Sequence, residues 1–320
     1  MKVAFIERGP HLIHKRFAES LNAYTIHFEP HPFNVLSFVK ALTQIFKLRP
    51  HVILCEDSSG LLLAYIWKKL GNAKSILWGA DSIYYGLGPV KRAIVWWLTR
   101  NIDGFLAPSK YIEKIARNLL KCQVKLVKYF VDPSFARVEA DLTSKNICFL
   151  GTYSPRKGIE RLVRAFDKIR LKYPESKLYL IGNIPKKFAG PGIILTGRVP
   201  NPAEYMKKCS VYVHPAVYEP FGVTVIEAIL AGLIPVVTKN TGASQYVDDW
   251  LIIDGSEDSI VAKVLEIFQL PPSKLREISR TLRKRIMSEG LCDMESRLKE
   301  FRSTFFSLLK PVDSEVAGQR

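Results

Sequence analysis

The chain has 320 residues, 48% of them apolar, with 47 Lys+Arg against 30 Asp+Glu and a net charge of +17. That length favours two domains over one, and that composition excludes a disordered protein. The excess leans to the N-terminal side, with 20 Lys+Arg against 10 Asp+Glu in residues 1–140 and 27 against 20 in the remainder; it fits an anionic partner (a phosphorylated ligand, an acidic membrane surface or nucleic acid) or a generally basic surface.

The opening "MKVAFIERG" holds too short an apolar run for a signal peptide and reads as a strand. Further strand-like runs follow at "HVILCE" (51–56), "KSILW" (74–78), "GFLAP" (104–108) and "VKLVKYF" (124–130). Helical patterns lie between them, at Pro32 to Leu48, Gly60 to Leu70 and Lys110 to Leu120, the last after the good N-cap residue Ser109. The alternation predicts βαβ units and a parallel sheet. "LLLAYIW" stops at Lys68–Lys69 and "AIVWWL" at Thr99–Arg100, so no run is long enough to cross a bilayer.

The segment "SFARVEADLTSK" (134–145) loses the apolar pattern and reads as a linker. Alternation then restarts with "NICFLG" (146–151), a helix from Gly158 to Lys172, "KLYLIG" (177–182), "IILTG" (193–197) and a short helix near Ala203 to Lys208. "VYVHP" (211–215), a helix from about Thr224 to Ala231 and "IPVVT" (234–238) complete it. Residues 271–310 read as one or two charged helices interrupted near Gly290, with a polar tail from Pro311. The expected organisation is α/β: two Rossmann-like domains facing a central cleft, over 1–138 and 139–300, with 301–320 a helix end and tail that returns to the first domain. The five cysteines, at 55, 122, 148, 209 and 292, show no Cys-x-x-Cys pair and read as free thiols of a reducing, cytoplasmic setting.

Two stretches carry candidate chemistry. In "FLGTYSPRKGIERLVRAF" (149–166) a strand runs into a turn with Arg156 and Lys157 at a helix start, where cations are mildly unfavourable unless an anion is bound. A solvated charged turn is the other reading. In "HPAVYEPFGVTVIEAILAGLIPVV" (214–237), Pro220 and Gly222 prevent one helix from spanning Glu219 to Glu227. Glu219 then belongs to a loop and Glu227 to a first helical turn whose amides around Gly222 to Thr224 suit a phosphate. Carboxylates suit sugar hydroxyls, so the ligand implied is a sugar nucleotide. Alternatively Thr224 and Glu227 form a Thr-x-x-Glu capping box, which would occupy Glu227 structurally.

At these residues the chain resembles the retaining glycosyltransferases of the GT-B fold, family 4. "EPFGVTVIE" is similar to that family's Glu-x-Phe-Gly-x-x-x-x-Glu, and "FLGTYSPRKGIERLVRAF", "KLYLIGN", "LTGRVPNPAEYMKKCSVYVHPA", "GFLAPSKYIEKIA" and "VKYFVDPSFA" resemble its other segments in the same order. The resemblance covers most of the chain and is densest from about residue 146 to 247. It implies sugar transfer from a nucleotide-diphosphate sugar with retention of configuration. Glu219 would contact the donor sugar, Phe221, Gly222, Val223 and Thr224 would approach sugar and diphosphate, and Glu227 would hold the ribose. Lys157, seconded by Arg156, would meet the diphosphate, and Arg198 and Val199 would lie against the base. No cofactor is implied beyond the donor substrate; the histidines show no metal-ligand spacing, so metal independence is expected, and His214, at a strand end before Pro215, reads as packed rather than catalytic.

The chain departs from the pattern at Thr152, where an Arg is usual, at Ser244 and Gln245, where an acid is common, and near residue 80, where a His is usual and "WGADS" stands instead. Asp81 is either the polar group of the acceptor site or a turn aspartate. The acceptor implied is a carbohydrate or lipid-linked hydroxyl. "VKRAIVWWLTR" mixes cations with Trp96 and Trp97, which suits peripheral docking on an anionic inner membrane face, or else packing of both rings in the core. The alternatives from other classes are an epimerase or phosphorylase on the same fold, and a non-catalytic sugar-nucleotide or nucleic-acid binder. Dispersed basic residues without an RRM, KH or zinc signature weigh against nucleic acid.

Overall fold

The computed structural model describes residues 1–9, 12–29, 34–79 and 86–310. The chain divides into two units, Met1–Tyr129 with Glu295–Arg320, and Phe130–Met294. The change of unit falls upstream of the expected boundary at 138/139. The segment read as a linker belongs to the second unit: Phe135 is buried in a 3-10 turn over Pro133–Arg137, and Ala140 and Asp141 donate their amides to the carbonyls of Ala231 and Lys207. Loss of apolar periodicity here marks irregular backbone that is nonetheless hydrogen-bonded.

The first unit runs β1 (Val3–Glu7), α1 (Leu12–Ser20), β2 (Tyr24–His27), α2 (Val35–Leu48), β3 (Val52–Cys55), α3 (Leu61–Gly71), β4 (Lys74–Trp78), α4 (Pro89–Thr99), β5 (Gly104–Ala107), α5 (Lys110–Leu119) and β6 (Gln123–Leu126). The parallel sheet has the order β2-β1-β3-β4-β5-β6. Its inner strands are buried on both faces, which is why they read as continuous apolar runs. Ser109 caps α5 by accepting from the Ile112 amide at 3.2 Å. The strand read over 124–130 is shorter than expected, ending at Leu126, because beyond Val127 the backbone leaves β5.

The second unit runs β7 (Ile147–Leu150), α6 (Ile159–Lys172), β8 (Leu178–Ile181), β9 (Ile193–Gly197), α7 (Ala203–Met206), β10 (Val211–His214), α8 (Val223–Leu230), β11 (Ile234–Thr238), β12 (Ile252–Ile253), α9 (Glu257–Gln269) and α10 (Pro272–Ser288). Its parallel sheet has the order β12-β11-β10-β7-β8-β9. α9 was absent from the sequence reading, yet its signal is present: Ser256 accepts from the Ser259 amide as an N-cap, and Glu257 and Asp258 fill the first turn. Gly290, at φ 68°, ends α10, and α11 (Met294–Ser307) returns to the first unit. There Phe301 lies 4.6 Å from Phe17 and 5.1 Å from Trp78, centroid to centroid, and Lys74 Nζ donates to the Leu309 carbonyl.

Among the described residues no helix is long and apolar enough to cross a membrane. The five cysteines are free, with Cys55, Cys148 and Cys209 buried. Trp96 and Trp97 do not pack in the core: they are 46% and 47% exposed on α4, beside Val90 and Ile94.

Candidate donor site

In the second unit the strand order reverses between β10 and β7, because the chain winds one way from β7 to β8 and the other way to β10. Crevices at the carboxyl ends of such strands are where ligands of open α/β sheets bind. The two chain segments that leave β7 and β10 carry the sequence-predicted residues.

From β7 the chain enters a 3-10 turn over Pro155–Lys157 and reaches Gly158, the N-cap of α6. Gly158 sits at φ 71°, and a Cβ there would stand 2.1 Å from the Pro215 carbonyl oxygen. Only glycine permits this approach of turn and strand end. The approach is held by the Val217 amide donating to the Arg156 carbonyl at 2.8 Å and by Arg161 Nη2 donating to the Pro215 carbonyl at 2.6 Å. Arg156 and Lys157 therefore project toward the chain leaving β10.

That chain carries Glu219. Its amide donates to the Asn240 carbonyl and its carbonyl accepts from the Gly242 amide, which ties the loop to the segment after β11. Phe221 is buried, and Gly222, at φ 90°, begins α8. Helix α8 starts one residue earlier than read, with Gly222 as N-cap and no side-chain capping bond. The Thr-x-x-Glu capping box is therefore not formed: Thr224 lies inside the helix, and its hydroxyl accepts from Tyr212 Oη at 2.8 Å. The Glu227 carboxylate makes no hydrogen bond among the described residues, while its carbonyl accepts from the Ala231 amide.

Glu219 is 7% exposed, and its Oε2 is the meeting point of the group. Lys157 Nζ donates to it, Arg156 Nη1 donates to it at 3.0 Å, and His214 Nε2 stands 3.5 Å away. Burial by itself opposes ionisation of Glu219; the Lys157 and Arg156 cations outweigh it and hold the carboxyl well below the usual range. Burial lowers the pKa of His214, with Glu219 opposing and Lys157 reinforcing the shift, so its ring is neutral near pH 7. Burial, then the neighbouring Asp132 carboxylate, pushes Glu227 up to about 7. The result is a paired, ionised acid flanked by two cations, beside a second acid that titrates near neutrality.

Arg198 and Val199 line a recess of about 170 Å³ at the ends of β7, β8 and β9, with Gly151, Thr152, Asn183 and Pro202. Val223 and Thr224 occupy the first turn of α8, where backbone amides have no intrahelical acceptor. Asp81 lies outside the described residues, as do His11 and His31. Among the described residues no group of three or more His, Cys, Asp or Glu is arranged to hold a metal. The sequence reading took His214 for a packed residue and gave Tyr212 no role. The signal is the period-2 placement of Tyr212 and His214 on one face of β10, whose end leads into the loop that carries Glu219.

The first unit has its own polar cluster at the corresponding reversal, between β1 and β3. His14 Nδ1 lies 2.5 Å from Glu56 Oε1 and its Nε2 lies 3.1 Å from Tyr129 Oη, while the Arg8 amide donates to Glu56 Oε2 at 3.0 Å. Burial, then Glu56, raises the pKa of Glu7. These residues come from four separate stretches of sequence with no spacing pattern to link them.

The chain is similar to known proteins in one segment of its sequence and in its fold. Residues 131–285 match the family described as glycosyl transferases group 1. An uncharacterized glycosyltransferase of Methanocaldococcus jannaschii is 26% identical over 201 residues, covering 60% of this chain and 57% of that protein; the chain thus spans little more than half of that relative's length. Among solved structures, sucrose-phosphate synthase of Thermosynechococcus elongatus matches with a TM-score of 0.80 at 17% identity, covering 97% of this chain and 99% of that one. HepE of Anabaena, solved with UDP and glucose, matches with a TM-score of 0.79 at 14% identity, covering 96% and 100%. Two parallel six-stranded sheets and these structures show a GT-B fold, and within it residues 131–285 form a segment similar to the glycosyl transferases group 1 family.

Proposed function

We propose that this protein transfers a sugar from a nucleotide-diphosphate sugar to an acceptor hydroxyl, with retention of anomeric configuration and without a metal ion. The observation that carries the reading is the convergence of Lys157, Arg156 and the first turn of α8 around the buried Glu219 carboxylate. The two cations and the amides of Val223 and Thr224 neutralise the charge that grows on the leaving diphosphate, which is the main lever on an oxocarbenium-like transition state. The departing phosphate and the attacking hydroxyl share one face of the sugar. Glu219 accepts hydrogen bonds from sugar hydroxyls, and Glu227 accepts from the ribose. The base lies in the recess lined by Arg198 and Val199.

The acceptor is a carbohydrate or lipid-linked hydroxyl, and the His14–Glu56 pair with Glu7 in the first unit has the polar chemistry to hold one. Peripheral attachment to an anionic membrane is supported by α4, where Val90, Ile94, Trp96 and Trp97 are exposed alongside Lys91 and Arg92.

The test is a thermal-shift panel of nucleoside diphosphates and sugar nucleotides, followed by product analysis with the ligand that binds. UDP and UDP-glucose come first, because HepE has been solved with both. Lys157→Ala and Glu219→Ala should each abolish transfer while leaving the fold intact. Normal transfer in both variants removes the site assignment. A product that forms without an acceptor, or only with inorganic phosphate, replaces transfer by epimerisation or phosphorolysis.

A further inference from the structure

The Glu219 carboxylate depends on partners that the proposed donor would also engage. Lys157 and Arg156 are bound to its Oε2, and an arriving diphosphate competes for both. A buried carboxylate deprived of its cations is strongly unfavourable unless another charge replaces them. The neighbour that cannot move away is His214. It is fully buried on β10, with the rings of Phe149 and Tyr212 stacked on it at centroid distances of 6.0 and 6.1 Å.

Hydrogen-bond directions around His214 settle where its proton lies. Tyr212 Oη donates to Thr224 Oγ1 at 2.8 Å, so the phenol oxygen is left to accept from His214 Nδ1 at 3.0 Å. The single proton of the neutral ring is thus on Nδ1. Nε2 presents a lone pair, has no hydrogen-bond partner, and faces Glu219 Oε2 at 3.5 Å. Two acceptors face each other in a buried site, and one proton added to Nε2 would satisfy both.

We propose that His214 is a positioning residue for Glu219: as a diphosphate draws Lys157 and Arg156 away, Nε2 takes one proton from solvent, and the imidazolium, anchored through Tyr212 to Thr224, replaces both cations at the carboxylate. The proposal rests on the donor reading above. It keeps Glu219 ionised and oriented for sugar hydroxyls at the moment its cations turn to the leaving group. The charged and titratable groups around the ring all bear on this step. Lys157 and Arg156 on the turn after β7 disfavour the proton while they face Glu219, and Glu219 favours it. Glu227 of α8 and Cys148 of β7 act on Tyr212, whose own burial keeps its phenol protonated.

Protein labelled with ¹⁵N-histidine tests the step directly, with the His214 resonances identified by their loss in His214→Gln. Alone, the protein should show the neutral Nδ1–H tautomer. With saturating UDP-glucose the same ring should become imidazolium at pH 7.5. Tyr212→Phe keeps the ring packing but removes the acceptor of Nδ1–H; it should raise the donor KM about tenfold and flatten its pH profile, with kcat little changed. An Nε2–H tautomer in the protein alone, or a ring that stays neutral while UDP-glucose binds, overturns the proposal and leaves the donor reading standing. An unaltered donor pH profile in Tyr212→Phe overturns it as well. Failure of the wild-type protein to bind any sugar nucleotide overturns the donor reading and this role of His214 together.

Discussion

The substitution Glu227→Gln should stabilise the protein above neutral pH, and the size of the effect follows from where this acid sits. Glu227 is half-buried on α8, and burial, then the Asp132 carboxylate, raise its pKa from 4.5 to about 7. Between those two values the folded protein keeps a proton that the unfolded chain has released, so stability falls as pH rises through the window and the loss is complete above pH 7. The full displacement corresponds to roughly 3 kcal/mol, and solvent reaching the half-buried carboxylate reduces it to about 2–3 kcal/mol. Gln resembles the protonated acid but does not titrate. Urea denaturation followed by circular dichroism should give similar stabilities for the two proteins near pH 4.5 and a variant about 2–3 kcal/mol more stable at pH 8. The same change should weaken UDP binding about tenfold at pH 8, where the ionised carboxylate is the better ribose acceptor, and remove the part of its pH dependence that follows Glu227. A stability difference that does not vary with pH, or a variant less stable at pH 8, would refute the reasoning.

Other expectations follow from single contacts. Gly158→Ala places a Cβ 2.1 Å from the Pro215 carbonyl oxygen at φ 71°, so it should destabilise by about 2 kcal/mol or more and displace Lys157; a fall in Tm together with lost transfer checks it. Phe301→Ala empties the space between Phe17 and Trp78 and should cost about 3–5 kcal/mol in chemical denaturation; an unchanged stability would mean that α11 does not complete the first core. Reversing Lys91 and Arg92 to Glu should weaken co-sedimentation with anionic vesicles at low salt by at least about 30-fold, from roughly 1 kcal/mol per cation removed. Wild-type protein that stays in the supernatant at low salt would remove the membrane argument.

Much of the fold was legible because parallel strands covered on both faces must be continuously apolar. "HVILCE", "KSILW", "GFLAP" and "IPVVT" are therefore visible as runs, and each forms a strand. β2 was not, since an edge strand with exposed alternate residues leaves only "YTIH" to read. The start of α8 was placed at Thr224 because Thr followed by Glu three residues later imitates a capping box. Gly222 took the cap through its positive φ, and Tyr212 took the Thr224 hydroxyl. The linker at 134–145 was misread because hydrogen bonding by irregular backbone has no periodicity.

By itself the sequence determined the α/β alternation, the two sheets, and the stretches from which Lys157, Glu219 and Glu227 come, because local pattern and a short motif encode these. Only the tertiary structure decided which groups meet. Arg156 and Lys157 reach Glu219 across more than sixty positions of chain because Gly158 lets the turn touch Pro215. His214 changes from a packed ring into a neighbour of that acid because strand geometry aims its Nε2 at Oε2. Partnership between charges depends on distance, direction and burial, and none of these is a property of position along the chain.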